Sequence, residues 1–305
     1  MKKGVLSSDV LLLLTAAIWG FAFTAQRAGM DFVGPFLYTG VRFLLGALVL
    51  MPLLFFRKNR QDPAAKTGPR LLLGGGALAG IFLFAGVSFQ QIGLLYTTAG
   101  KAGFITGLYV IFVPILGVFW RQRTHRGTWV GAMLASVDLY LLSVTGGFRI
   151  GLGDLLVLSS AFFWAFHVHI IGRLSKTVDP VKLAVVQYVF CGVLSTLVAL
   201  FIEPFTFTSI WEAAIPIAYG GICSVGIAYT LQIVAQKSAP PAHAAIIRSI
   251  EGVFAVAGGI LILGESLSAR GYAGCGLMLV GMVISQLAVG SRRAVTAPEG
   301  SESHT

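Results

Sequence analysis

Apolar residues run unbroken for roughly 20 positions at a time along most of this chain, and polar residues collect between the runs. No amphipathic stripe of the kind a soluble helix needs is present. A helix crossing about 30 Å of hydrocarbon takes about 20 residues, which is the length of these runs. Ten are expected, at about 9–28, 36–56, 71–90, 98–120, 128–146, 153–173, 181–202, 210–231, 241–262 and 270–290. The pattern therefore predicts an all-α membrane protein with ten transmembrane helices. The first run is too long and too poorly terminated for a cleaved signal, and nine more follow, so it is read as a retained span. The longest polar stretch, Arg57 to Arg70, is a loop and leaves no room for a soluble domain.

The pattern also repeats. Asp9–Val–Leu–Leu–Leu–Leu–Thr–Ala–Ala–Ile–Trp19–Gly20–Phe21 returns as Asp154–Leu–Leu–Val–Leu–Ser–Ser–Ala–Phe–Phe–Trp164–Ala165–Phe166, an offset of 145 residues that Pro35 and Pro180 keep. The expected organisation is a cytoplasmic N-terminus over 1–8, a first five-span repeat over 9–146, a second over 153–290, and a disordered cytoplasmic tail over 291–305. An odd number of spans per copy turns the second copy upside down. Inverted repeats are an architecture of secondary transporters, whose substrate site lies between the halves near the bilayer midplane.

Composition agrees with that environment: 56% apolar, 11% charged, mean hydropathy +0.85. The net charge of +10 raises nucleic acid as a partner, but its distribution argues against it. With Lys2 and Lys3 cytoplasmic, 16 of the 22 basic residues fall in inner loops. Only three, Arg27, Arg149 and Arg270, fall in outer ones, and three lie within spans. That bias sets both termini in the cytoplasm of a multi-pass cell (inner) membrane protein. Cys191, Cys223 and Cys275 lack metal-ligand or redox spacing and read as buried small residues.

Lipid supplies no hydrophobic drive between helices, so the Gly-x-x-x-Gly pairs Gly76/Gly80, Gly103/Gly107 and Gly127/Gly131 read first as packing grooves and second as hinges. Pro114 and Pro216 are expected kinks. Gly100 to Gly107 opens span 4, and Ser238–Ala–Pro240–Pro241–Ala–His243 opens span 9. Gly/Pro-rich helix starts at matching places in two halves point to a transport site.

Trp19–Gly20 with Trp164–Ala165, Arg42 in span 2 and Gly264–Glu265 closing span 9 resemble the EamA family of the drug/metabolite transporter superfamily. Leu108–Tyr–Val–Ile–Phe–Val–Pro114 and Ser249–Ile–Glu251–Gly–Val–Phe254 resemble its two repeat signatures. The likeness covers about 9–290. It implies a basket of ten spans, a central cavity lined mainly by spans 1, 3, 4, 6, 8 and 9, and export of small metabolites such as amino acids. Two departures bear on the substrate: Trp120–Arg121–Gln122–Arg123 replaces the Gly–Glu that closes span 4 in many relatives, and Gly252 stands where many have proline.

Ionisable groups at membrane depth cost on the order of 2.5–3.5 kcal/mol on insertion scales and face a cavity or a partner. Arg248 and Glu251, at i and i+3, are either a site meeting a substrate carboxylate and amine (or a coupling proton) or a locked structural pair. His243 precedes them on span 9. His167 and His169 are too close in sequence to share a helix face; His167, one turn from Trp164, is the better candidate for a cavity or proton-coupling role. Trp19, Phe82, Tyr109, Trp164, Tyr219 and Tyr229 are candidates for an aromatic wall. Thr106 is a candidate hydrogen-bonding hydroxyl, with Thr24, Thr97, Thr98 and Ser224. Asp138, Arg42 and Lys101 read as structural, by pairing or snorkelling.

The reading is a transporter that rocks one repeat against the other and exports amino acids or related compounds. A multidrug or other-metabolite transporter of the same fold is the alternative. No phosphate-binding Gly-x-x-x-x-Gly-Lys-Ser/Thr, His-Glu-x-x-His or Gly-x-Ser-x-Gly sequence is present, which disfavours ATP-driven transport and an intramembrane enzyme. No filter loop suggests a channel. No cofactor or metal is expected; the partners are a small molecule and the bilayer, as a monomer or homodimer. Reporter fusions at the two termini are expected to give the same, cytoplasmic, side; opposite sides would undo the span count.

Overall fold

The computed structural model describes residues 3–57, 68–120, 129–130, 133–134, 137, 151–266, 268–274, 276–277 and 279–280. Among these, eight helices are long and apolar enough to cross a membrane. They are span 1 (Ser7–Gly29), span 2 (Pro35–Phe55), span 3 (Pro69–Gly93), span 4 (Ala99–Phe119), span 6 (Leu152–Leu174), span 7 (Pro180–Ile202), span 8 (Ala214–Gln236) and span 9 (Pro241–Leu263). The segments expected as spans 5 and 10, with Asp138 and Cys275, lie largely outside the described residues.

The internal repeat is visible in the helix limits. Spans 1 and 6 each run 23 residues and start 145 positions apart. Prolines 35 and 180 open spans 2 and 7, where a missing N–H costs no helix bond. Span 6 begins at the end of the bundle where span 1 finishes. Asp154, in its first turn, bonds Thr97 and Lys101, and Lys101 lines the same surface hollow as Arg27 and Asp31 beyond span 1. The second half therefore runs antiparallel to the first. We call the end holding Asp9 the near end and the end holding Asp154 the far end.

Large apolar side chains face outward along these helices, among them Leu48, Phe55, Leu197, Phe201 and Leu261. Such a surface is stable only in lipid. Inside, a cluster built on Trp19, Phe43, Tyr109, Trp164, Tyr188 and Tyr229 joins both halves. Small residues set the closest crossings: a Cβ on Gly20 would collide with the Phe254 side chain and the Glu251 carbonyl, so span 1 lies directly on span 9. Gly76 and Gly80 receive Val186 and Phe190 of span 7 in the same way, and Gly103 receives Ala255 of span 9.

Three spans depart from regular α winding. Span 4 tightens at Leu108, whose N–H bonds the Ile105 carbonyl (3.1 Å) and whose carbonyl accepts from Ile111 (2.9 Å). Span 9 does so at Ser249–Ile250, through Gly252 N to Ser249 O (3.3 Å) and Val253 N to Ile250 O (3.0 Å). These i→i+3 turns stand at corresponding points of the two repeats, and a tight turn inside a helix commonly marks a hinge. Span 8 winds instead as a π-helix over Tyr219–Tyr229.

The prolines are not where these irregularities fall. Pro114 lies six residues beyond the turn at Leu108, inside the helix Tyr109–Phe119. Pro216 lies in the first turn of the helix Ala214–Ala218, where a backbone N–H has no helical partner, so proline's lack of one costs no helix bond.

Two glutamates at the far end clamp helix N-termini of the first half. Both Glu203 oxygens accept from Phe36 and Leu37 N–H (2.8 Å each) at the start of span 2. Glu265 accepts from Ala99 (2.8 Å) and Gly100 (3.1 Å) at the start of span 4. Gly264, at φ +67°, ends span 9 in the left-handed conformation, and Glu265 N–H returns to the Gly259 carbonyl (3.0 Å). That turn aims the carboxylate at the positive end of the span 4 dipole, which gives the Gly–Glu pair a structural reason. Glu265→Ala is expected to lower stability by about 1–2 kcal/mol, the usual worth of a helix cap, read as a lower melting temperature in detergent. An unchanged melting temperature would make the clamp incidental.

Candidate functional site

A small polar cavity lies between the halves. Span 1 contributes Trp19, Ala22, Phe23 and Gln26; span 2 contributes Arg42; spans 3 and 4 contribute Gln90 and Thr106. The second half adds Trp164, Ser224, Tyr229, Arg248 and Glu251. Its volume is about 20 Å³, room for about one water molecule.

The two repeat-related tryptophans face the cavity from opposite halves, each fixed by its indole N–H. Trp19 donates to the Ser224 carbonyl (3.2 Å) on the π-helix, and its ring meets Tyr229 edge-on at 4.3 Å. Trp164 donates to Gln90 Oε1 (3.0 Å). Gln90 in turn donates to Gln26 Oε1 (3.2 Å), and Gln26 to the Ala22 carbonyl (3.1 Å). This chain ties spans 6, 3 and 1 together on the far side of the cavity. One residue beyond Gln26, Arg27 already lines the far-end hollow of about 560 Å³ shared with Asp31, Tyr96, Lys101 and Glu265.

The charged residues are the chemistry of the cavity. Arg248 is 2% exposed and Glu251 2%. Of the two readings the locked ion pair is not formed: the tight turn at Ser249–Ile250 lies between them, and no charged nitrogen–oxygen contact joins them. The Arg248 guanidinium lies over the rings of Trp19 (4.4 Å) and Tyr109 (4.9 Å). Its Nε and Nη1 have no acceptor, and Glu251 Oε1 has no donor. Arg42, 1% exposed, lies against Tyr38 and Phe43 at 5.4 and 5.1 Å, with Nε unbonded. Thr106 Oγ1 is unbonded as well. Unpaired buried polar groups are costly, so these atoms make the cavity the candidate place for a polar guest.

The other sequence candidates lie elsewhere. Tyr109 sits behind Arg248 rather than on the cavity wall. His167 is fully buried behind Trp164, its Nε2 2.8 Å from Gln187 Oε1, while His169 points to the Val113 carbonyl (2.8 Å) and stacks near Trp120. The two histidines do face different sides, and neither lines the cavity. Phe82 stacks on Phe166 at 5.2 Å in a separate aromatic cluster with Phe163. Tyr219 donates to the Ile18 carbonyl (3.0 Å).

His243 lies at the near end, where its Nε2 meets Asp9 Oδ1 at 2.7 Å. Lys101 lies at the far end, Nζ 2.9 Å from Asp154 Oδ2. Asp9 and Asp154 are repeat mates, and Lys101 and His243 occupy matching starts of spans 4 and 9. The inverted fold thus makes the same contact twice, once at each end and each time between halves.

Sequence reading missed Arg42, Gln26 and Gln90 as cavity residues. Arg42 had a signal: seven residues inside span 2 it is too deep to snorkel easily, and its repeat mate Gln187 is neutral. Gln26 and the adjacent amides Gln90 and Gln91 lie near the ends of apolar runs, where only three-dimensional register shows which way each faces.

The profile of the EamA-like transporter family matches residues 6–144 and 151–286. An uncharacterized transporter of Archaeoglobus fulgidus is 32% identical over 285 residues, covering 93% of this chain and 87% of the relative. A probable amino-acid metabolite efflux pump of Escherichia coli is 30% identical over 164 residues, 51% of this chain and about half (50%) of the pump. A solved crystal structure aligns over 95% of this chain and 99% of its own with a TM-score of 0.74; at 18% identity the likeness establishes the fold alone.

Proposed function

The chain belongs to the EamA-like transporter family, and from that premise we propose that it exports amino acids or closely related metabolites across the cytoplasmic membrane by alternating access. The observation that carries this reading is the pair Arg248 and Glu251, buried with unfilled hydrogen-bonding atoms on the wall of a cavity between antiparallel halves. A guanidinium and a carboxylate held apart by one tight turn match the carboxylate and ammonium of an α-amino acid. The amino-acid metabolite efflux pump among its relatives supports the same class. The positive-inside bias supports both termini in the cytoplasm, which makes the Asp9 end the inner one.

Alternating access then has a structural basis in the repeated end contacts. Opening at the inner end parts Asp9 from His243 while Lys101–Asp154 holds; opening at the outer end reverses this. The tight turns at Leu108 and Ser249–Ile250 are the points at which spans 4 and 9 flex, and the chain Trp164–Gln90–Gln26 closes the cavity on its outer side.

Counterflow in liposomes tests the reading: saturable exchange of labelled amino acid is expected, and the absence of exchange for any amino acid would overturn it. Loss of a charge-assisted hydrogen bond in Glu251→Gln is expected to cut the exchange rate about tenfold or more with membrane insertion unchanged; an unaffected rate would reduce Glu251 to a structural group. At the outer contact, Lys101→Asp sets two carboxylates against each other and is expected to slow exchange several-fold. Adding Asp154→Lys restores opposite charges and is expected to recover most of it. No recovery would make the contact incidental to transport.

A further inference from the structure

We infer that the cargo is an amino acid carrying a second acidic group, a net anion, rather than a neutral zwitterion. This rests on the proposal that the central cavity is the amino-acid site and specifies its ligand.

The inference comes from the charges on the cavity wall. Among the described residues two guanidiniums, Arg42 and Arg248, line it against a single carboxylate, Glu251. Arginine stays protonated in proteins, so the wall carries a net charge of +1 with Glu251 ionised and more with it protonated. The remaining lining groups are neutral amides, hydroxyls and rings. Each guanidinium faces two aromatic rings, a contact worth roughly 0.5–2 kcal/mol. Removing such an ion from water costs several kcal/mol even after the protein relaxes. The rings therefore leave a deficit that a neutral ligand does not meet: a zwitterion placed on Arg248 and Glu251 leaves Arg42 without a counter-charge.

The unfilled hydrogen-bonding groups ask for the same composition. Arg42 Nε, Arg248 Nε and Nη1 lack acceptors, and on the acidic side Glu251 Oε1 lacks a donor. A ligand with two acidic groups and one ammonium supplies an anion for each arginine and a cation for the glutamate; with two carboxylates the loaded cavity becomes neutral, and with a phosphate of about −1.5 to −2 it becomes slightly negative. Thr106 Oγ1, also unbonded, offers a hydroxyl to either acid. The present volume of about 20 Å³ admits no such molecule, so it enters only when the halves part. The second acid is a carboxylate or a phosphate, which the probes below separate.

The test is competition in counterflow with the full-length protein in liposomes, using labelled L-glutamate and, separately, labelled L-glutamine. Unlabelled L-glutamate, O-phospho-L-serine, L-glutamine, L-lysine and glutarate are the competitors. L-glutamate or O-phospho-L-serine is expected to compete about tenfold or more better than L-glutamine, the worth of one charged hydrogen-bonded pair. The better of the two identifies the second acid. Glutarate, which lacks the amine, is expected to fall behind L-glutamate, and L-lysine to compete least. In Arg42→Gln the preference is expected to shift to L-glutamine.

L-glutamine equal to or better than L-glutamate in the unaltered protein overturns the inference and leaves amino-acid transport standing. Exchange of neither label, nor of any other amino acid, overturns both. A well-inserted Arg42→Gln that still prefers L-glutamate removes Arg42 from recognition and overturns the inference. Should that variant fail to fold, the competition series on the unaltered protein decides alone.

Discussion

A charged group inside a bilayer has to find its partner within the protein, because hydrocarbon offers none. Most of what this structure does with its polar residues follows from that constraint. Glu203 and Glu265 meet it by accepting from helix N-termini; Asp154 meets it with Lys101 and Thr97, and Asp9 with His243. Once those carboxylates are accounted for, Arg42, Arg248 and Glu251 stand out as the buried ions whose needs the described residues do not fill. They stand on one wall of one cavity. The contrast between satisfied ends and an unsatisfied middle locates the site more sharply than its volume does.

The inverted repeat turns one sequence solution into two structural ones. Asp9 and Asp154 open equivalent helices, and each finds a base at the start of the fourth helix of the opposite half. Spans 4 and 9 lose α register at equivalent places. The tryptophans at 19 and 164 reach the same cavity from opposite sides. Symmetry then breaks where chemistry is concentrated: Arg42 faces neutral Gln187 across the repeat, and Arg248 and Glu251 are matched by Thr106 and Tyr109. The scaffold is duplicated and the ion-bearing wall is not.

Apolar run length and the Asp–Trp–Pro repeat made the eight described spans, their order and the antiparallel run of spans 1 and 6 legible in the sequence, since a helix in lipid needs only length and apolarity to be recognised. Trp19, Trp164, Thr106, Tyr229, Arg248 and Glu251 were legible as candidates because the repeat or their depth singled them out. What sequence reading could not supply was rotation. The two-residue tight turn after Arg248 broke the i, i+3 geometry that had suggested an ion pair. His243 found its partner, Asp9, on a helix of the other half, and His167 found Gln187 on the next span, neither of which a local pattern reveals. Arg42 was read as structural, by pairing or snorkelling, and only packing of span 2 against spans 7 and 8 shows that its side chain turns inward.

Span 8 carries a property with its own consequence. Its eleven-residue π-helix, Tyr219–Tyr229, is far longer than the single-turn bulges in which that winding usually occurs. A wider coil advances less along its axis per residue than an α-helix, so this stretch holds spare length. Rewinding it would lengthen the helix and rotate Tyr229 relative to the carbonyls of Ser224 and Ala228 that take the Trp19 and Thr15 hydrogen bonds. One wall of the cavity therefore holds more backbone per unit of helix length than an α-wound span would.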